Sequence, residues 1–472
     1  MNKSFILFLK IAFSFPKNYT CKNTYKIGVV IYMGDNQLKR EITLFGAFST
    51  VMGTVIGAGV FFKVASVTKA AGSPSMTMLA WALGGFLTIC AGLTSAELAT
   101  AIPKTGGAVK YIEYTYGKFW GFLLGWAQMI IYFPANIAAL SIIFSTQLIY
   151  LLGLKTTYLI PIAIIAGVSV TFINLLGSKT ASQFQSISLV LKLIPISLII
   201  IVGLFTKNGE TVNLFSNQVE SNQFISQLSM ALFATLFAFD GWLGVGAIAG
   251  EMKNPEKDLP KAIVSGLLFI TLVYLLINFV FLKTLPFSTI QGNLTAASNS
   301  ATVLFGHFGG KLVTIGILLS VYGALNGYTM SGIRVPYALA QEDLIIGSKY
   351  LKKLSTKTKV PYVAAIFQLL IAIFMMLLGS FDLLTDMLIF VIWLFSVLIF
   401  VAVFILRKRE PNLKRPYKVP LYPVIPIIAV LGGIFILGTT LITQTYLALT
   451  GIFITLCGIP VYYISNNKKT SE

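Results

Sequence analysis

Charge is what this chain has least of. Asp, Glu, Lys and Arg together make up 11% of 472 residues, against about 25% in soluble globular domains. Hydrophobic residues make up 56%, and the mean hydropathy is +0.84. So few charges cannot cover a water-soluble fold, so the chain reads as a membrane protein. Histidine is nearly missing: His307 stands alone, which leaves no material for a histidine-based metal centre or a catalytic triad. The three cysteines, Cys21, Cys90 and Cys457, show neither metal-ligand spacing nor a disulfide framework. No metal, cofactor or enzymatic constellation is expected.

The balance of the few charges is strongly basic, at +19, a value also seen in nucleic-acid-binding proteins. Its placement excludes that partner. Most Lys and Arg fall in segments that alternate with apolar runs to form one side. Lys63 and Lys69 towards the far end of the first span, with Lys155, Lys207, Lys283 and Lys311, fall on the other, and Lys192 and Arg334 remain within spans. This is the positive-inside bias of a multi-pass membrane protein. Apolar spans are expected at about 42–70, 76–99, 119–153, 157–177, 183–205, 224–252, 262–282, 312–334, 361–379, 383–406, 421–443 and 446–465. Twelve spans put both Lys-bearing termini on the cytoplasmic side, with loops 101–118, 253–261, 349–359 and 407–418 inside and 206–223 and 284–311 outside. Residues 1–41 form a basic extension. FILFLKIAFSF (5–15) resembles a short signal core, but Lys10 interrupts it and no small-residue cleavage site follows. Met33 offers a second start.

Two spans carry the same peculiarity. GTVIGAGVFF (53–62) places Gly53, Gly57 and Gly59 inside an otherwise apolar run, and each glycine costs up to about 1 kcal/mol of helix propensity. An unwound turn at that depth survives only where it is buried or lines a polar cavity. The competing reading is tight helix packing through the Gly53/Gly57 GxxxG pair. ATLFAFDGWLGVGAIAG (234–250) puts Asp240-Gly241 at mid-span, followed by Gly244 and Gly246. Five spans separate the two breaks, and an odd repeat must come back inverted. Paired breaks in two inverted halves point to a transporter site.

Asp240 is costly at mid-depth unless satisfied. It serves either as N-cap of a second half-helix, with its carbonyl open to the site, or as a ligand for a proton or a substrate amine. Lys192, in ISLVLKLIPIS, lies roughly 15 Å into the fifth span. It is either a proton carrier or a permanent ammonium that tethers carbonyls. Glu97, Glu251 and Arg334 sit at inner ends of spans, where water or lysine partners are expected. Tyr132, Trp126 and Tyr322 are candidates for pocket lining or for packing. Apart from Asp240 the spans offer no acidic cluster for a polyamine and no arginine clamp for an acidic side chain, which favours a neutral substrate.

GTVIGAGVFF, IPKTGGAVKYIEYTYG (102–117), the span-five LKLIPI and GEMKNPEKDLPKAI (250–263) together resemble the amino acid–polyamine–organocation superfamily. More narrowly they resemble its L-type amino-acid transporter family, on the side of the bacterial serine/threonine exchangers. The similarity runs from about Asp35 to the C-terminal lysines. It implies an all-α, leucine-transporter-like fold of twelve transmembrane helices. Residues 42–205 and 224–406 would form a 5+5 inverted repeat with helices 1 and 6 broken, 421–465 would hold two peripheral helices and 466–472 a tail. It also implies a sodium-independent exchanger of small neutral L-amino acids in a bacterial plasma membrane, with proton-coupled uptake as the alternative. The substrate carboxylate would meet amides of Gly57, Ala58 and Gly59 around Val55 and Ile56. Its amine would meet carbonyls of Val55, Phe237, Ala238 and Asp240, and Lys192 would fill the place of a coupling cation. The loop GLKTTY (153–158) lacks the cysteine by which heteromeric relatives join a heavy chain, so no such partner is expected.

Overall fold

A computed structural model describes residues 43–102, 107–206, 212, 224–243 and 252–471. The extension through residue 42, the outer loop at 213–223 and the second half of the sixth span, with Gly244, Gly246 and Glu251, lie outside the described residues. The described elements are helices. In chain order they are α1 (Leu44–Val55), α2 (Gly59–Ala71), α3 (Pro74–Ala101), α4 (Ala108–Tyr116), α5 (Lys118–Ala127), a π turn (Gln128–Tyr132), α6 (Phe133–Leu152), α7 (Leu159–Leu175), α8 (Ser178–Phe205) and α9 (Phe224–Ala238). They continue with α10 (Pro255–Thr284), α11 (Ala296–Gly332), α12 (Arg334–Gln341), α13 (Tyr362–Leu378), α14 (Phe381–Arg409), α15 (Val424–Thr443), α16 (Thr445–Leu456) and α17 (Gly458–Ser471).

Among the described residues, 8 helices are long and apolar enough to cross a membrane, or 9 if α1 and α2 count as one bent span. Shorter apolar helices at 190–205, 224–238 and 362–378 fall where spans five, six and nine are expected.

Local chemistry explains the helix ends. Ser73 caps α3, its Oγ accepting from the Met76 amide at 3.3 Å with Pro74 in the first turn, where proline's missing N–H costs nothing. Ser380 caps α14 in the same way. Asp382 in its first turn and Arg407, Lys408 and Arg409 in its last complement the helix dipole at both ends.

The broken first helix is buried against α9 and α10, and α10 in turn lies along α3. That last contact is close because α3 presents Gly85 to Thr271 and Gly92 to Leu267 and Ile263, small residues replacing the hydrophobic drive that lipid removes.

One expectation fails outside the breaks. The polar run before 312 reads as loop, yet α11 begins at Ala296 and is divided by Gly306 in a left-handed conformation, φ 69°. Its serines are used inward: Ser298 donates to Gln147 at 2.8 Å, and Ser300 shares a 2.7 Å bond with Thr284. Composition reports polarity, not whether the polar groups find partners.

Candidate functional site at two helix breaks

The first helix stops at Val55 and resumes at Gly59 with a 46° bend. Ile56 leaves the helical region at φ −71°, ψ 89°. Such a break strands carbonyls on one side and amides on the other. The carbonyls are taken. Lys192, on α8 and 2% exposed, donates from Nζ to Gly53 O at 2.5 Å and to Ile56 O at 2.6 Å. The Tyr274 hydroxyl on α10 lies 3.0 Å from Val55 O and 2.8 Å from Ala238 O, so it spans both breaks. The amides are not taken: among the described residues nothing accepts from Gly57, Ala58 or Gly59. All five residues from Val55 to Gly59 are buried. Three adjacent donors left open in a buried turn have the geometry by which backbone amides bind anions in other proteins.

The two glycines of this turn do different work. A Cβ on Gly59 would run into the Ala238 backbone and come within 2.8 Å of its side chain, so Gly59 is where the broken helices touch. A Cβ on Gly57 would meet Ala324 at 3.7 Å and Val55 O at 3.9 Å, which is ordinary contact. The close packing of the glycine run falls on Gly59, whereas Gly57 of the GxxxG pair makes only ordinary contact.

The second break follows Ala238. Phe239, Asp240 and Gly241 form a turn in which Gly241 takes φ 107°, a conformation that side chains disfavour, with Thr54 O only 3.0 Å from where a Cβ would stand. Asp240 is 8% exposed. Its Oδ2 accepts from the Tyr132 hydroxyl at 2.6 Å and the Tyr328 hydroxyl at 3.2 Å. The expected half-helix that Asp240 would cap falls on residues outside those described; within them the side chain is an acceptor for two phenols. Tyr132 closes the π turn at 128–132, a widened helical turn of the kind often found at functional sites. The turn is supported from α13, where Gln368 Nε2 donates to Met129 O at 2.9 Å.

The structure thus brings Val55, Ile56, Gly57, Ala58, Gly59, Ala238 and Lys192 around one gap, with Asp240 beside it on Tyr132. The Phe237 carbonyl accepts from the Asp240 amide at 3.2 Å, and its side chain lies towards α14. Its ring packs edge-on against Phe381, centroids 5.7 Å apart, and the two rings lie 5.6 Å and 5.4 Å from Lys63 Nζ. Lys63, read as an outer-side lysine, lies within α2, fully buried, 3.2 Å from Asp382 and 3.2 Å from Asp386 on α14. Ser66 donates to Asp382 at 2.5 Å and Gln444 to Asp386 at 3.4 Å.

Glu97 also departs from expectation. It is 1% exposed and held by α14 and the segment that follows it. Arg407 binds it through two bonds, 2.8 Å and 2.5 Å, Arg415 lies at 3.5 Å, and the Val419 amide donates at 2.8 Å. Trp126 and Tyr322 are packing residues, the first donating to Ile454 O and the second sharing a bond with Ser169. Tyr274 escaped the sequence reading. An isolated tyrosine in an apolar run gives no signal when aromatics are 13% of the chain.

Many apolar helices, two of them interrupted side by side around open backbone amides, define a multi-pass membrane transport protein. The chain matches the amino acid permease family over residues 42–464 and belongs to it. It is 44% identical over 438 residues to the serine/threonine exchanger SteT of Bacillus subtilis (strain 168), covering 93% of this chain and 99% of that protein. It is 30% identical over 440 residues to the cystine/glutamate transporter of Homo sapiens (91% and 85% covered). It is also 30% identical over 414 residues to the b(0,+)-type amino acid transporter 1 of Mus musculus (86% and 84%).

Proposed function

We propose that this chain exchanges small neutral L-amino acids, serine and threonine among them, across a bacterial plasma membrane, with no catalysed reaction and no cofactor. The observation that carries this reading is the pairing of three open amides at Gly57, Ala58 and Gly59 with carbonyls of Val55 and Ala238 that share one hydroxyl. An α-carboxylate fits the first set and an α-ammonium the second. The similarity to a serine/threonine exchanger over nearly the whole of both chains supports the mode and substrate size. Lys192 stands in for a coupling cation: its ammonium holds the Gly53 and Ile56 carbonyls that a bound ion would otherwise hold. Twelve spans, the 5+5 inverted arrangement over 42–205 and 224–406, peripheral helices over 421–465 and cytoplasmic termini complete the reading. No disulfide-linked heavy chain belongs to it, since loop 153–158 has no cysteine.

Proton-coupled uptake is the second reading, favoured by the buried carboxylate of Asp240 beside the break. Proteoliposomes separate the two. Uptake of labelled serine into vesicles loaded with unlabelled amino acid, and none into empty vesicles, is the result expected for exchange. Uptake into empty vesicles driven by an imposed pH gradient would overturn it. A panel of unlabelled competitors then ranks the substrates.

A further inference from the structure

Between α12 and α13, residues 342–361 combine features that the transport site does not use. Ile346, Tyr350 and Leu354 are 61%, 58% and 40% exposed and recur every four residues. The same segment carries Lys349, Lys352, Lys353, Lys357 and Lys359. Lys352 pairs with Asp343 at 3.0 Å, and Lys353 lies over the Tyr350 ring. Among the described residues no carboxylate lies within ion-pair range of Lys349, Lys357 or Lys359. The last two sit in a built turn: the Ser355 amide donates to Val360 O at 2.9 Å, and the Lys359 amide donates to Ser355 O at 3.0 Å. Lys359 takes φ 55° there, where glycine or asparagine would be the less strained choice. The fold thus holds a cation at a position that backbone geometry disfavours, beside a cavity.

That cavity has a volume of about 420 Å³. Its lining is Leu175 at the end of α7, Leu354, Ser355, Thr356 and Tyr362. Two leucines and a tyrosine contribute apolar lining, and Ser355 and Thr356 add two adjacent hydroxyls from the turn that also carries Lys357 and Lys359. We propose that this is a binding site for one anionic phospholipid. The glycerol and upper acyl chains fill the apolar part, Ser355 and Thr356 donate to the phosphate, and Lys357 and Lys359 with Lys349 neutralise it. Exposed tyrosine and leucine beside lysine is the side-chain pattern of a headgroup region, and the charge complementarity selects an anionic over a zwitterionic lipid. The proposal rests on the reading of this loop as cytoplasmic-facing only for which leaflet supplies the lipid.

Native mass spectrometry of the purified full chain, titrated with phosphatidylglycerol and separately with phosphatidylcholine, scores binding without reference to orientation or transport. Failure here and failure of the exchange reading are therefore distinguishable. The wild-type chain is expected to retain one phosphatidylglycerol in preference to phosphatidylcholine. K349Q/K357Q/K359Q is expected to bind it about a hundredfold more weakly, each lysine near an anionic headgroup contributing about fivefold. Leu354→Trp, which fills the cavity and leaves every lysine, is expected to lose the single tightly held lipid. Equal retention of the two lipids, undiminished binding by the triple variant, or undiminished binding by Leu354→Trp would each overturn the site. Displacement of the lipid by millimolar inorganic phosphate would show an anion site instead and overturn it too.

Discussion

Gly59 packs tightly against Ala238 and Gly57 does not, so substitutions at the two allow a cleaner test than the run as a whole. Gly59→Leu would break the contact with Ala238 whatever the turn binds. Gly57→Ala meets only van der Waals neighbours but puts a methyl beside the open amides. It is expected to keep the wild-type melting temperature and to lose about tenfold in serine affinity, a cost of about 1.4 kcal/mol. Unchanged affinity in isothermal titration would move the carboxylate seat elsewhere. Tyr274 makes a complementary prediction. Tyr274→Phe leaves Val55 O and Ala238 O without their donor, and a buried acceptor left unpaired costs about 1–3 kcal/mol. The empty protein should melt earlier, and saturating serine should raise its melting temperature by more than it raises that of wild type. Residue-scale legibility followed the rarity of each signal. Lys192 stood out because it interrupts an apolar run. The burial and pairing of Lys63 were invisible because its partner Asp382 lies 319 residues further along the chain, and no window on the sequence sees both.

At the scale of elements, the two breaks were legible because Gly53, Gly57 and Gly59 crowd into one run and Asp240 directly precedes Gly241, whereas Gly85 and Gly92 sit inside an unbroken α3. The π turn at 128–132 was not, because QMIIY satisfies any helical pattern and only the support from α13 marks the wider turn. Gln368→Met removes the donor to Met129 O while keeping the side chain's length. The expected result is a protein that inserts normally but exchanges serine several-fold more slowly, as Tyr132 loses its fixed approach to Asp240. Wild-type exchange by this variant would reduce the turn to a packing detail. The helix at 296–305 was missed for the opposite reason: its Ser and Thr content imitates a loop until Gln147 and Thr284 supply the partners.

For the whole molecule, the uneven distribution of Lys and Arg predicts its orientation. Cysteines introduced in 206–223 should react with an impermeant reagent in intact cells, and those in 407–418 should not; the reverse pattern would invert the topology. A chain begun at Met33 should exchange as well per molecule as the full one. Helix α14 adds something that the span count does not. It is fastened at one end to α2 through a buried Lys63 whose partner Asp382 is half open to solvent, and at the other to α3 through Glu97, where neither Glu97 nor its arginines are more than 22% exposed at the side chain. An ion pair that water can reach is the one that water can replace, so the two fastenings are unequal. If α14 swings during transport, this arrangement predicts a door, with Glu97 and Arg407 as its hinge and Lys63 as its latch. Lys63→Met should leave the fold standing and let a thiol reagent reach a cysteine at Val60 from outside, whereas Glu97→Gln should cost about 3 kcal/mol of stability and leave that access unchanged. If both variants opened the same face, neither end would be the hinge.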